Sequence, residues 1–430
     1  MAANVRETLR QPDEPEAVSA RRLILSIATV LCFEGFTMSI NGIGSPWIAK
    51  DFHLGESGIA GLFAWISLAA LGALGLSRMI DRVGRRRMLL VCIAGTAASA
   101  LAAALATNIV AFAACEIALY AFIGAVVAGG VVILAEGLAI EQRSRGQSIG
   151  GLGIGLGGGL CLIMMPMVAT RHSWRWMLVS ASVLGVAALW RAARVIPESG
   201  RWQRAAAAGA TSSSNFYDVF GHRYRGRAIT TLICSLMGTI ATTAATSWSY
   251  FHLVSVVGLT PGAASALMLF GGGAGMTGFP LGARGCERYG RIPTVFVASM
   301  VTGFGALAFY WGPPAHSNFL FLWIGITYFG FVTGQSAGQV ASNSLATELF
   351  PTALRGAMMG WYALIGAIAA VSAQTLTAIL AGRLGGLSIV VGYLSLLAIP
   401  SAIIVVLFLP ETRGLSLEAA AMEEAFAKTP

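Results

Sequence analysis

Twelve apolar runs, each close to 20 residues long, divide this chain, at roughly 23–45, 58–79, 88–106, 109–135, 146–169, 176–196, 228–256, 263–282, 293–311, 318–346, 356–381 and 387–409. A run of that length crosses the hydrocarbon core of a bilayer as a helix. With no water to bond to, the backbone must satisfy its own donors and acceptors, which a helix does within itself. Hydrophobic residues make up 56% of the chain and charged residues 11%, against about 25% charged in soluble domains. One soluble core could not hide that much apolar surface. The expected fold class is an all-α membrane protein of twelve transmembrane helices.

Orientation follows from the basic residues, which gather on cytoplasmic loops. With the N-terminus inside, the inner segments hold 24 Lys or Arg and the outer ones hold four: Lys50, Arg171, Arg175 and Arg383. Both termini are therefore expected in the cytoplasm, with the chain in a bacterial inner membrane. The net charge of +9 serves topology and faces anionic headgroups. No folded soluble segment is long enough to gather it against nucleic acid. The six cysteines (Cys32, Cys92, Cys115, Cys161, Cys234 and Cys286) lack metal-ligand spacing, and small packing residues is the simpler account of them. No metal and no cofactor are expected.

The charged punctuation repeats. "DRVGR" at 81–85 returns as "ERYGR" at 287–291, "RG" at 145–146 returns at 355–356, Glu136 matches Glu348, and "PES" at 197–199 returns as "PET" at 410–412. The offsets of 206, 210, 212 and 213 residues agree on one duplication. The domain plan is an N-terminal tail (1–22), a six-helix bundle (23–196), a cytoplasmic linker (197–227), a second bundle (228–409) and a C-terminal tail (410–430). Parallel repeats of this kind mark transporters whose solute site lies between the halves at mid-membrane.

Those motifs, with "ELFPTALRG" at 348–356, "PESGRW" at 197–202 and "PETRGLSLE" at 410–418, resemble the major facilitator superfamily. Within it they are similar to the branch of sugar porters, organic-ion transporters and aromatic-acid:proton symporters. The resemblance implies two pseudo-symmetric six-helix bundles and a set of cytoplasmic gating residues. These are Asp81, Arg82, Gly84, Arg85, Arg145 and Glu198 in the first half, and Glu287, Arg288, Gly290, Arg291, Glu348, Arg355 and Glu411 in the second. Asp81 is expected near the start of run 11 against Arg145 or Arg355, with Glu287 mirrored at run 5. Glu198 and Glu411 are expected on loop arginines, so that the bridges latch the halves together. Gly84 and Gly290 can supply the tight turns. The glutamine pair of sugar porters is absent from run 7, which argues against a sugar.

Ionisable side chains cost about 2.5–3.5 kcal/mol at mid-membrane, so each marks a candidate site. Glu34, the expected proton carrier, lies at the centre of run 1, with Thr37 and Asn41 at i+3 and i+7 on the same face. Aromatic-acid symporters carry aspartate-glycine-x-aspartate there; "EGFT" keeps one acid. Glu116 on run 4 is the second acid, with Tyr120 where the family often has arginine. The apolar runs contain no mid-membrane lysine or arginine, so a fixed countercharge for a carboxylate solute is missing. That argues for a neutral or cationic solute, or for an anion held by dipoles and hydroxyls. Further cavity candidates are Thr246 and Tyr250 on run 7 and Tyr328, Gln335, Gln339 and Asn343 on run 10. Trp361 and Gln374 on run 11 rank behind them, and His252 reads as an interfacial residue.

"GIGLGG" at 153–158 matches a dinucleotide-binding pattern but follows no strand. Its neighbours Gly151, Gly155 and Gly159 instead suggest a row for close helix contact. "GQSAG" at 334–338 lacks the strand-turn-helix setting of a nucleophile elbow. An enzyme is not expected. The expected function is a monomeric, proton-coupled importer of a small organic solute. A proton-driven exporter of drugs or toxic metabolites is the alternative, and a transporter-like sensor a more remote one.

Overall fold

The structure is a computed structural model and describes residues 20–138, 140–198, 217–312 and 319–413. The two tails and the middle of the linker lie largely outside these residues, as do the side chains of Asp81, Arg82, Glu136, Arg145 and Arg355. Helices account for every apolar run. In the first half they are α1 (Ala20–Asp51), α2 (Glu56–Ser67 continuing as Ala69–Val83), α3 (Arg85–Leu105), α4 (Ile109–Gly137), α5 (Ile140–Arg171) and α6 (Arg175–Val195). In the second they are α7 (Arg225–Phe251), α8 (Pro261–Gly275 and Gly278–Arg288), α9 (Arg291–Tyr310), α10 (Leu320–Glu348), α11 (Thr352–Leu384) and α12 (Leu387–Ser395 and Ala398–Phe408). Eleven helices among the described residues are long and apolar enough to cross a membrane. The eighth run is the exception because α8 breaks at Met276 and Thr277, leaving two shorter pieces.

Local chemistry sets several ends. The Asn108 side chain accepts from the Ala111 N–H at 2.8 Å and caps α4, as asparagine does where the first helical donors lack partners. Thr260 caps α8 with Pro261 in the first turn. Gly84 and Gly290, with φ of +120° and +109°, turn the chain between α2 and α3 and between α8 and α9. Large apolar side chains such as Leu105, Val110, Phe270 and Leu407 face outward, 67–76% exposed together with Phe408; on a soluble protein such a belt would aggregate.

The core is distributed unequally. One buried cluster, Leu23 to Phe33 with Ile80 to Ile93, Ala125 to Leu138 and Ala188 to Ile196, belongs to the first half alone. A second, around Val219, Val295, Leu345, Phe350 and Val405, belongs to the second half alone. The third draws on both, from Phe36 and Phe63 to Trp248, Phe251 and Val391. The halves are thus packed together at one end and part toward the end that carries Ala20 and Arg413. They meet through α2 on α11, α5 on α8 and α1 on α7.

The closest helix contact is α1 on α5. A Cβ on Gly153 would lie 2.6 Å from the Ala28 carbonyl oxygen, and one on Gly157 would run into the Cys32 carbonyl. The expected row at Gly151, Gly155 and Gly159 is instead the open face. Gly151 has nothing within 4 Å, and Gly155 and Gly159 make ordinary contact with Met276 and Leu269 of α8. Adding methyls to a tight contact costs about 1–3 kcal/mol. Gly157→Ala is accordingly expected to lower the unfolding temperature in detergent clearly, and Gly151→Ala to leave it unchanged. Equal effects of the two substitutions would contradict this packing.

Candidate functional site

Between the halves lies a cavity of about 730 Å³. Its wall is mostly apolar, with Met38, Ile43, Phe63, Ile66, Leu162 and Met268 contributing, and its polar groups are few: Ser39, Asn41, Ser67, Tyr120, Thr243, Thr246, Ser247, Tyr250 and Gln374. No Asp, Glu, His, Lys or Arg is among its lining residues. Such a hollow, apolar with a handful of placed polar groups, is the usual form of a small-molecule site.

Directly behind this wall sits an acid. Asn41 Nδ2 donates to Glu116 Oε2 at 2.7 Å, with the two residues 4% and 1% exposed. Asn41 Oδ1 and Glu116 Oε1 have no hydrogen-bond partner among the described residues. The Tyr120 hydroxyl, one turn along α4, donates to the Met38 carbonyl at 2.7 Å. Asn41, Glu116 and Tyr120 are therefore one cluster at the α1–α4 contact, with Asn41 and Tyr120 facing the cavity.

Glu34 is placed differently from expectation. It is buried, 1% exposed, but it turns toward α3, where Thr96 Oγ1 donates to Oε1 at 3.5 Å while Oε2 has no partner. It is absent from the lining of the central cavity. The reason is helix rotation: Gly35 is pressed onto the α5 backbone at Ile154, which aims the preceding side chain into the first bundle. Thr37 is buried too, its hydroxyl donating to the Phe33 carbonyl at 2.8 Å.

The second half corrects more assignments. Thr246 and Tyr250 line the cavity, and Tyr250 donates to the Pro261 carbonyl at 3.1 Å. Tyr328 does not; its ring packs on Gly271, Phe309 and Phe331. Gln335, Gln339 and Asn343 line a separate hollow of about 310 Å³ among α7, α9, α10, α11 and α12. A long hydrogen bond of 3.4 Å from Gln335 Nε2 to Thr246 Oγ1 divides it from the central cavity. Trp361 packs on Phe220 at 5.0 Å between ring centres. His252 is buried rather than interfacial, 4% exposed and 2.7 Å from the Ser388 hydroxyl.

Gln374, ranked low from sequence, is central. It accepts from Trp248 Nε1 at 3.1 Å and donates to Ser247 Oγ at 2.9 Å. Trp248 in turn stacks on Phe63 of the other half, ring centres 5.0 Å apart. Nearby, Glu56 Oε2 accepts from the Leu387 N–H at 2.6 Å and so caps α12 across the halves. Nothing in the motifs pointed to Phe63 or Glu56, because neither repeats at the duplication offset.

Several loop bonds among the described residues lie within one half. Glu198 accepts from the Arg86 N–H at 3.0 Å at the start of α3, and Arg85 reaches the Ile80 carbonyl at 3.3 Å. Glu411 accepts from the Arg291 and Ile292 N–H groups at 2.8 and 2.9 Å, and Arg291 pairs with Glu348 at 2.9 Å. Glu287 and Arg288 are exposed, Arg288 lying over the Tyr289 ring. Among the described residues Glu411 is thus held by the N-terminus of α9 and Glu198 bonds to the first turn of α3, where free donors and the helix dipole favour a carboxylate.

For Glu411, burial acts to raise the carboxyl, but the N–H groups of Arg291, Ile292, Arg413 and Thr412 outweigh it and leave the group below its ordinary value of 4.5. A lowered folded-state value stabilises above the ordinary titration and loses that stabilisation as pH falls through it. The unfolding temperature is expected to drop on going from about pH 6 to about pH 4 and below, and the Glu411→Gln variant to show a smaller drop. An identical acid response in both proteins would remove the assignment.

Comparison with known proteins agrees with this architecture. The profile of the Major Facilitator Superfamily matches residues 25–374. The gallate transporter of Pseudomonas putida is 25% identical over 382 residues, covering 81% of this chain and 82% of that protein. The gentisate transporter of Corynebacterium glutamicum is 24% identical over 377 residues, covering 84% and 82%. Among solved structures, the inward open conformation of the xylose transporter XylE from E. coli superposes with a TM-score of 0.74 at 16% identity, over 95% of this chain and 99% of that one. The family and these relatives are transporters rather than enzymes. With its apolar helices, its duplicated halves and a cavity between them, the chain belongs to the Major Facilitator Superfamily and is a multi-pass membrane transporter of small organic solutes.

Proposed function

We propose that the chain is a proton-coupled importer of small, mainly apolar ring compounds, aromatic acids above all, across the bacterial inner membrane, with both termini cytoplasmic. The observation that carries this reading is the apolar cavity whose nearest acid, Glu116, is reached through one cavity-facing amide, Asn41. The matched gallate and gentisate transporters support the aromatic class. The mainly apolar wall suits a ring compound better than a sugar, each of whose hydroxyls calls for a partner. With no lysine or arginine at the cavity, a proton taken up with an aromatic monoanion lets that anion enter without adding net charge to the buried site, which the cost of unpaired charge in low dielectric favours.

In this reading the structure is the cytoplasm-facing state: the outer end is joined and the inner end parted. The halves, 23–196 and 228–409, rock about the cavity. When the inner end closes, Asp81, Arg82, Arg145, Glu287, Arg288 and Arg355 come together across it, while Gly84 and Gly290 keep the turns that present them.

The test is counterflow and uptake in proteoliposomes with gallate, gentisate and xylose, with and without an inside-alkaline gradient. Gradient-driven accumulation of an aromatic acid and none of xylose is expected. Transport of all three at rates indifferent to the gradient would end both the coupling and the substrate class.

A further inference from the structure

The Asn41 side chain stands between two different partners. Its Nδ2 is held by Glu116 Oε2 at 2.7 Å, its Oδ1 is unpartnered, and the residue lines the cavity whereas Glu116 does not. An ionised carboxylate can only accept, so it binds the amide by its NH₂ end. A carboxylic acid has an O–H to donate, and the amide offers it Oδ1. Gaining a proton therefore gives the acid a bond to Oδ1 that the carboxylate cannot make, and weakens its hold on the NH₂ end, because a neutral carbonyl oxygen accepts less strongly than a carboxylate. Tyr120 does not take over, because its own proton is committed to the Met38 carbonyl.

We propose that Asn41 is the positioning residue that links proton to solute, by turning over its side-chain amide. This rests on the proton-coupled reading of the same site. A hydronium ion on the outer side gives its proton to a Glu116 carboxylate oxygen, so that one O–H bond breaks in hydronium, leaving water, and one forms on the carboxyl. The acid then donates to Asn41 Oδ1, and the released NH₂ group points into the cavity and donates to an acceptor oxygen of the solute, a carboxylate or carbonyl on a ring. When the proton leaves to water on the inner side, the carboxylate reclaims the NH₂ and the solute loses its donor. Solute and proton thus raise each other's affinity, as linkage requires.

The surroundings leave Glu116 as the group that responds. The helices packed on α4 are α1, α2, α3 and α5. Between their end charges α1 brings Glu34 and Cys32, α3 brings Cys92, α5 brings Cys161, and α2 brings no ionisable side chain; α4 itself adds Cys115 and Tyr120. Glu34 faces α3, with Thr96 Oγ1 3.5 Å from Oε1, and does not line the cavity; none of the others is a cation.

The experiment measures binding of the best-carried member of the gallate, gentisate and xylose panel to the purified full chain across pH. It is paired with infrared difference spectra of the carboxylic C=O stretch taken without solute. In the wild type, Kd is expected to rise by up to about tenfold per pH unit on the alkaline side, the limit for one linked proton. Glu116→Gln should make Kd flat with pH. Asn41→Leu should weaken binding and flatten the pH profile as well, and the Glu116 acid band should move to higher frequency as its acceptor is lost. A full pH slope in Asn41→Leu, or an acid band that ignores Asn41, overturns the amide turnover while leaving Glu116 as proton carrier. Solute binding in the wild type with no pH slope at all overturns the proton-coupled reading itself. If no panel member binds, the substrate class falls and the infrared arm alone decides the turnover.

Discussion

Glu116→Gln is expected to abolish uphill accumulation while leaving exchange of solute across the membrane intact. The glutamine amide keeps the shape and the hydrogen bond to Asn41 but cannot gain or lose a proton, so the cavity still cycles with nothing tied to the gradient. One pH unit is worth about 1.4 kcal/mol, or about a tenfold accumulation for one proton per solute; in the variant the ratio should fall to about one. The matching substitution at the other buried acid, Glu34→Gln, should leave accumulation in place, since that carboxyl faces Thr96 and α3 rather than the cavity. Uptake of labelled solute into proteoliposomes under an imposed gradient, with counterflow as the control, separates the two. Loss of accumulation in Glu34→Gln with retention in Glu116→Gln would return the proton to α1 and sink the assignment.

That contrast shows how far the residues could be read without coordinates. Membrane spans, duplication and turn glycines depend on composition and local backbone freedom, and these are written in consecutive residues. The buried acids were also visible, because any carboxyl within an apolar run stands out. Which of them borders the cavity was not visible. Glu34 and Asn41 share a nominal helix face seven residues apart, yet the pressure of Gly35 on α5 and the presence of Thr96 and Glu116 as different partners decide their surroundings. The same holds on α10, where Gln335, Gln339 and Asn343 look into a hollow of the second half. A polar stripe on a helix says that water or a polar partner lies beside it, not which of two adjoining cavities supplies it. The loop acids show a third limit. Their spacing marked them as paired, but a carboxylate is satisfied as well by a helix N-terminus as by an arginine, and Glu411 takes the former at the start of α9.

Phe63→Ala is expected to shift the empty transporter strongly toward the state open at the outer end. Phe63 is 7% exposed and stacks on Trp248 across the halves, at the end where the halves are joined. Truncating a buried phenylalanine costs about 3–5 kcal/mol in a core. At a joint that opens in one of two states, even half of that, about 2 kcal/mol, moves the ratio of states by about thirtyfold. Glu56→Ala removes the cap on α12 from the same joint, and at its half-buried position the effect should be nearer 1 kcal/mol, about fivefold. Spin labels at the exposed outer positions Ser57 and Leu384 report the separation. The wild type should give mainly the short distance, Glu56→Ala a visible long component, and Phe63→Ala mainly the long one. Because α2 and α11 also meet through α-helical packing below this point, neither variant should unfold the chain, and its unfolding temperature checks that. Distance distributions identical to the wild type in both variants would mean that the joined outer end is held by something other than these two contacts.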